Sequence, residues 1–206
     1  MHKKLFSFFL CLCLVIFTTA CNELKKANVG DLIILGTYPQ TVEGNEEPVE
    51  WEAQPIEWQI LAKEKNRMFL ISRYGLDARA FDDTSNNWED SEIRQWLNGF
   101  FYNKAFSDKE KKMINSFEGD KVFFLSKEEA EGFFDNSESR QCKPTKYAVI
   151  HKAYVNSKGY SYWWLRSSHC DLDNCVCAVG GSGNLDHYCY VYDNVGVVRP
   201  ALWINI

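Results

Sequence analysis

The residue types that could do chemistry are concentrated in one stretch near the C-terminus of the chain. Thiol and imidazole groups are the ligands that zinc prefers, and six of them occur there: His169, Cys170, Cys175, Cys177, His187 and Cys189. Structural zinc sites usually place ligands two to four residues apart in each of two pairs, whereas Cys175 and Cys177 on a strand would both point the same way. The spacing disfavours a metal site, and a metal-binding module stays an alternative.

The N-terminus has the pattern of a lipoprotein signal peptide. Lys3 and Lys4 precede an apolar run, residues 5–20, that ends in Thr18-Thr19-Ala20 just before Cys21. Small residues before a cysteine favour cleavage there and lipidation of the new N-terminus. We predict a signal peptide at 1–20, a tether at 21–29 and one ligand-binding domain at 30–206. An ordinary secretory peptide or an uncleaved anchor is the alternative.

Export and lipidation set the expected location and the state of the thiols. We expect the protein to be anchored by lipid to a membrane, at the outer membrane and the cell surface. Five of the eight cysteines remain beyond the lipidation site, and an odd number cannot pair completely within one chain. These five are Cys142, Cys170, Cys175, Cys177 and Cys189.

Length and charge narrow the class of protein further. The 186 residues after the signal peptide suit a single domain with a full core. They carry 21 basic and 28 acidic side chains, a net charge of −7. This acidity argues against nucleic acid as a partner, because a polyanion would be repelled. We expect a monomer.

The apolar pattern predicts helices early in the chain and strands late. Alternation and β-rich residues predict strands at 30–36, 55–61 and 68–72, while a three-to-four-residue period predicts a helix over 91–106. Two capping boxes, Ser107 with Glu110 and Ser126 with Glu129, predict further helix starts around a short strand at 121–125. A last helix is expected to end near Tyr154, before strands at 160–166, 175–179, 188–192 and 197–204.

These elements together predict an α+β fold with helices in the first two thirds. Short strands joined by long loops are expected at the C-terminus. Adjacent Trp163 and Trp164 on a strand would face opposite ways, one into the core and one at its rim. Arg199, next to Pro200, is expected to make structural hydrogen bonds near the last strand.

The composition of residues 167–194 is biased, and we call them the biased segment. These 28 residues contain no Lys, Arg, Glu, Gln, Met, Trp, Phe, Ile, Thr or Pro, although a quarter of the chain is charged. Every residue type present can be reached from an Asn codon by changes to its first two bases, whereas Lys, Glu, Gln, Met and Trp cannot. Tyr, Ser, Gly and Asn are also the residues of adaptable binding surfaces. The alternative is a Gly- and Asp-rich loop region whose missing residue types are chance.

Several motifs outside the biased segment resemble a bacterial family found in many lipoproteins. They are Gly30-Asp31, Tyr38-Pro39-Gln40, Ile56-Glu57-Trp58, Trp96-Leu97-Asn98, Phe101-Tyr102, Ala105-Phe106, Trp163-Trp164-Leu165-Arg166-Ser167 and Val198-Arg199-Pro200-Ala201-Leu202-Trp203. Some members resemble the variable proteins of diversity-generating retroelements, of the spirochaete variable-protein type. The resemblance implies a C-type-lectin-like fold, of the formylglycine-generating-enzyme type, in which a fixed scaffold flanks a diversified segment.

The same resemblance supplies an enzymatic alternative. Cys170 and Cys175 have four residues between them, similar to the cysteine pair of formylglycine-generating enzymes. A reactive thiol needs a neighbour that lowers its pKa, and no Lys or Arg lies between Arg166 and Arg199. We therefore expect no enzymatic activity and no cofactor, with a formylglycine-generating-enzyme-like thiol oxidase as the alternative.

The expected function is the binding of a protein or another macromolecule by a variable face. Tyr188, Tyr190 and Tyr192 are spaced by two and would project from one side of a strand, as would Cys175 and Cys177. The whole predicted face consists of His169, Cys170, Asp171, Asp173, Asn174, Cys175, Cys177, Asp186, His187, Tyr188, Tyr190, Tyr192, Asp193 and Asn194.

Overall fold

A computed structural model of the chain describes residues 24–40, 53–169 and 172–206. Strand accounts for 34% and helix for 23%, and the strands form two five-stranded sheets. The expected α+β, C-type-lectin-like fold with helices in the first two thirds is therefore wrong. In the part of the chain that the structure describes, three of the longest strands come first, and a single helical stretch reaches seven residues.

Among the described residues, ten strands build the two sheets. In chain order they are β1 (Leu32–Pro39), β2 (Ala53–Lys63), β3 (Arg67–Ser72), β4 (Asp77–Ala78), β5 (Ile114–Asn115), β6 (Trp163–Ser168), β7 (Cys175–Val179), β8 (His187–Tyr190), β9 (Val197–Val198) and β10 (Ala201–Asn205). The first sheet has the order β1-β2-β3-β10-β5, and all its described pairs are antiparallel. The second has the order β4-β9-β6-β7-β8, with β6 and β9 parallel.

Short helices connect the strands. They are a 3₁₀ turn (Trp88–Asp90), α1 (Glu92–Trp96), a π-helical turn (Leu97–Phe101), α2 (Tyr102–Ala105), α3 (Asp108–Lys111), α4 (Lys127–Gly132), α5 (Ser137–Arg140) and α6 (Lys146–Ile150). α1, the π turn and α2 are continuous and confirm the helix predicted over 91–106. Ile93, Leu97 and Phe101 form its buried side, as the apolar period requires.

Both predicted capping boxes are present. The Ser107 side chain accepts from the Glu110 backbone while Glu110 reaches back to residue 107, and Ser126 and Glu129 do the same. The strand predicted at 121–125 between them is wrong. Only a single bridge forms there, between Phe123 and Ala201.

The core consists of two hydrophobic clusters, and each takes residues from both sheets. Trp163 and Trp164 are both fully buried, one in each cluster. The two rings do face opposite ways, but the expected rim position is wrong, because elements cover both sides of β6. Every tryptophan on β6 is thus part of the core.

Arg199 is buried and pairs with main-chain carbonyls. Its Nε donates to Ser72 O at 3.1 Å and its Nη1 donates to Arg140 O at 3.2 Å, while the guanidinium lies 4.8 Å from the Trp163 ring centroid. These contacts are the structural hydrogen bonds expected of this residue.

Within the described ranges, no helix is long and apolar enough to cross a membrane. The predicted signal peptide and Cys21 lie outside the described residues.

Candidate ligand-binding site

The biased segment occupies one edge of the second sheet. It begins at the end of β6, supplies all of β7 and β8, and ends in the turn after β8. β8 is the edge strand of this sheet. Cys170 and Asp171 of the predicted face lie outside the described residues.

The register of β7 and β8 divides the segment between two faces. Cys177 lies opposite Tyr188, and Cys175 lies opposite Tyr190. Directly opposed residues of an antiparallel pair project to the same side. We call this side the outer face of β8. Alternation places His187 and Cys189 on the other side, which we call the inner face, so the predicted residues do not all share one surface.

Three tyrosines are exposed at this edge, and we call them the tyrosine row. Tyr188 is 50%, Tyr190 48% and Tyr192 52% exposed. Tyr188 packs against His169, with ring centroids 4.5 Å apart. Tyr192 lies beyond the end of β8, in the following turn, rather than on the predicted strand. The neighbouring Val191 is fully buried and fixes this turn to the core.

Polar residues of the predicted face surround the tyrosine row. The exposed ones are Asp173, Asn174, Asp186 and Asn194. Asp186 lies 3.7 Å from the Lys127 amine in an exposed ion pair, a type of contact that adds little stability. His169, Cys177, His187 and Asp193 are half-buried, and Cys175 is buried. Cys175 therefore supports the surface from below and does not contribute contact area.

Side chains outside the biased segment hold its main chain in place. Asn86 donates from Nδ2 to the carbonyls of Leu172 at 3.0 Å and of Cys175 at 2.9 Å. Arg140 donates from Nε to Gly183 O at 2.8 Å, and Asn156 donates to Gly181 O at 3.1 Å. All four bonds end on main-chain carbonyls, so they do not depend on which side chains the segment carries. Sequence reasoning missed Asn86, Arg140 and Asn156 as anchors.

A cavity of about 500 Å³ opens on the inner face of β8. His187 and Cys189 line it, and Cys189 Sγ lies 3.3 Å from His187 Nε2. Burial lowers the pKa of His187 and raises the pKa of the Cys189 thiol to about 12. Both groups are therefore uncharged at neutral pH. Tyr154, Tyr162 and Asp193 also line this cavity.

Cys142, Cys175 and Cys189 lack the surroundings of reactive cysteines. Burial raises the pKa of Cys175, and the Asp193 carboxylate raises it further. Burial also raises the pKa of Cys142, although Arg199 opposes the effect. A nucleophilic thiol requires the opposite change. Cys170, the other half of the proposed oxidase pair, lies outside the described residues.

The Cys and His side chains also do not converge as metal ligands where the structure describes them. Within residues 24–40, 53–169 and 172–206, no group of three or more His, Cys, Asp or Glu could hold a metal ion.

The fold and site define a two-sheet β-protein with an aromatic edge and an adjoining cavity. Residues 65–206 match the model of a family described as a domain of unknown function, DUF6273. The match covers more than half of the chain, so the protein belongs to this family. Comparison with curated proteins and with solved structures gives no match.

Proposed function

We propose that this protein is an exported, lipid-anchored binding protein that contacts a macromolecular ligand through the outer face of β8. The biased segment supplies the contact residues and is diversified by a retroelement, as the resemblance to retroelement variable proteins implies. The protein carries out no reaction of its own. Its ligand is a protein or another macromolecule at the cell surface.

One observation carries the proposal. The tyrosine row is exposed at the edge of a sheet, and side chains outside the biased segment hydrogen-bond to the main-chain carbonyls of this edge. Large aromatic side chains that are half exposed in a cluster are typical of binding surfaces. Tyrosine gives rigid contact area at small entropic cost. Because Asn86, Arg140 and Asn156 bond to carbonyls, exposed side chains in the segment can change without loss of these anchors.

Buried positions within the biased segment set limits on its variation. Val176, Ala178, Val179 and Val191 are fully buried, and larger or polar side chains there would disturb the core. We therefore expect variation only where side chains reach solvent. These positions are Asp173, Asn174, Asp186, Tyr188, Tyr190, Tyr192 and Asn194.

Sequencing the gene and its surroundings from many isolates of one lineage tests the diversification. We expect amino-acid differences at the exposed positions and none at the buried valines. A nearby imperfect copy of the coding stretch should carry adenines where the gene differs. Differences spread evenly over buried and exposed codons, with no such copy, would contradict the proposal.

Metabolic labelling with a radioactive fatty acid tests the anchor. The unchanged protein should incorporate label and Cys21→Ala should not, because lipidation requires that thiol. Cys177→Ala is the matched control and should label normally. Labelling of Cys21→Ala would remove the basis for placing the protein at a membrane.

A further inference from the structure

Residues inside and outside the biased segment together build the cavity on the inner face of β8. Tyr154 and Tyr162 precede the segment, whereas His187 and Asp193 belong to it. The centroids of the two tyrosine rings lie 6.0 Å apart, and the His187 ring lies 5.4 Å from that of Tyr162. The volume of about 500 Å³ suits a small organic group. Three aromatic rings thus surround one concave space.

The hydroxyl of Tyr162 is a buried polar group in need of a partner. The residue is only 6% exposed, and among the described residues its hydroxyl has no hydrogen-bond partner other than the nearby Cys189 thiol. Burial raises the pKa of this hydroxyl, and the nearby Cys189 and Asp193 raise it further. Both neighbours line the cavity, so the hydroxyl end of the ring lies at the cavity wall. A thiol is only a weak hydrogen-bonding group.

The charge of the cavity is negative. Asp193 makes no side-chain hydrogen bond and no ion pair with any residue that the structure describes. None of the lining residues is Lys or Arg. Because burial lowers the pKa of His187, that ring adds no positive charge at neutral pH. The Asp193 carboxylate is therefore an acceptor without a cation.

We propose that this cavity binds the ammonium or guanidinium group of an organic ligand. The cation pairs with the Asp193 carboxylate, and its N–H groups donate to the carboxylate and to the Tyr162 hydroxyl oxygen. The faces of Tyr154 and Tyr162 attract the same positive charge. An anion would lie beside Asp193 without compensation, and a hydrocarbon would leave Asp193 and the Tyr162 hydroxyl unpaired.

This inference goes beyond the proposed function, because Tyr154 and Tyr162 lie outside the biased segment. The cation is either a free small molecule or the side chain of a Lys or Arg on a macromolecule. Both present the same chemistry to the cavity, and the probes below distinguish them.

Calorimetric titration of the full chain with N-acetyl-arginine amide tests the site. Its matched neutral probe is N-acetyl-citrulline amide, in which a urea group of similar shape replaces the guanidinium. We expect the arginine probe to bind at least about tenfold more tightly, because charge-assisted hydrogen bonds are stronger than neutral ones. Methyl glucoside, a neutral polyol, should not bind. Equal binding of the arginine and citrulline probes, or binding of methyl glucoside alone, would overturn the proposal.

Two variants place the binding in the cavity. Asp193→Asn should weaken binding of the arginine probe about tenfold or more, whereas Asp173→Asn, an exposed change outside the cavity, should leave it unchanged. Tyr162→Phe should weaken binding with little effect on Tm, because the removed hydroxyl meets only the Cys189 thiol, a weak hydrogen-bonding group. A Tm loss of several degrees in Tyr162→Phe, or equal effects of the two Asp variants, would contradict this assignment.

A third probe distinguishes the sources of the cation. Acetyl-Gly-Arg-Gly-amide should bind as well as N-acetyl-arginine amide if the cavity takes a side chain from a polypeptide. Selective binding of the smaller probe would support a free cation instead, and either result supports the site. Replacing the tyrosine row by serine should not change binding of the arginine probe. The probe therefore tests the cation site independently of the macromolecular interface, and either proposal can fail without the other.

Discussion

Tyr190 and Tyr192 stack on each other, with ring centroids 5.2 Å apart and planes inclined by 7°. The stack forms although Tyr192 lies beyond the end of β8, because the turn at buried Val191 brings the second ring back over the first. Two exposed rings that support each other need little further ordering when a ligand binds. This rigidity is what a binding surface built from tyrosine requires.

The tyrosine row should contribute little to folding. We expect replacement of Tyr188, Tyr190 and Tyr192 by serine to lower the free energy of unfolding by only about 1 kcal/mol per residue or less, because the rings are half exposed and lose mainly their contacts with one another and with His169. Val191→Ser, in the same turn, should cost about 2–4 kcal/mol through lost burial and an unpaired hydroxyl. Urea unfolding followed by tryptophan fluorescence measures both.

The role of the tyrosine row in binding is tested against a control variant at an exposed aromatic residue outside the biased segment. Phe100 is 58% exposed, so Phe100→Ser removes a comparable ring outside the biased segment. Once a macromolecular partner is captured, the serine variant of the tyrosine row should lose it and Phe100→Ser should keep it. Unfolding of the serine variant would mean that the row is part of the core.

Gly183 should tolerate no side chain, although it lies in the biased segment. A Cβ there would lie 1.7 Å from the Ser137 carbonyl oxygen, and the residue has φ +83°. Gly159 has the same φ, but a Cβ there would meet nothing within 4 Å. We expect Gly183→Ala to lose about 1–3 kcal/mol more stability than Gly159→Ala, because only the first adds a steric clash to the unfavourable φ. Equal losses, measured by urea unfolding, would show that the contact with Ser137 is not restrictive.

The thiols of Cys142, Cys175 and Cys189 should react slowly in the folded protein. Cys142, Cys175 and Cys189 all have pKa values raised by burial, and only the thiolate is alkylated readily. We expect alkylation by iodoacetamide at pH 8 to be at least about tenfold slower at these residues than in protein unfolded by urea. Peptide mapping by mass spectrometry gives the rate for each residue. Rapid modification of native Cys175 would restore the thiol-oxidase alternative.

Local features of the fold were predictable from the sequence. The helix at Glu92–Ala105 follows from an apolar period within one stretch, and the starts of α3 and α4 follow from their capping boxes. Such signals are contained within a few consecutive residues. The hairpin of β2 and β3 was predictable for the same reason.

The fold class was not predictable, because it depends on pairings between distant residues. β4, β5 and β9 have two residues each and show no periodicity of their own. The single strand expected over 197–204 is divided at Arg199 and Pro200, so that β9 joins the second sheet and β10 the first. The helices α3 to α6 have only four to six residues each, which shifts the balance toward strand.

The candidate site was predictable only in part. Alternation correctly placed Tyr188 and Tyr190 on one face of a strand, but the same alternation puts His187 on the inner face. The turn at Val191 could not be predicted, because no glycine or proline marks it. Anchors such as Asn86 donate to main-chain carbonyls some 86 residues away, and this type of bond leaves no sequence pattern.

Stability should fall in mild acid because of His187. Burial lowers the pKa of His187 below its ordinary value of 6.5. Between pH 6.5 and the lowered pKa, the unfolded chain therefore binds more protons than the folded one, so the free energy of unfolding decreases as pH falls through this window. His187→Asn removes this contribution and should lose less stability than the unchanged protein between pH 7 and pH 5.

The control is Tyr154→Asn, which changes another residue of the cavity wall without removing a group that titrates in this range. Urea unfolding at several pH values gives the slopes. The free energy of unfolding of His187→Asn and of the unchanged protein could instead change in parallel with pH. The His187 ring would then be protonated as readily in the folded protein as in the unfolded chain, and the cavity would be open to water at that wall.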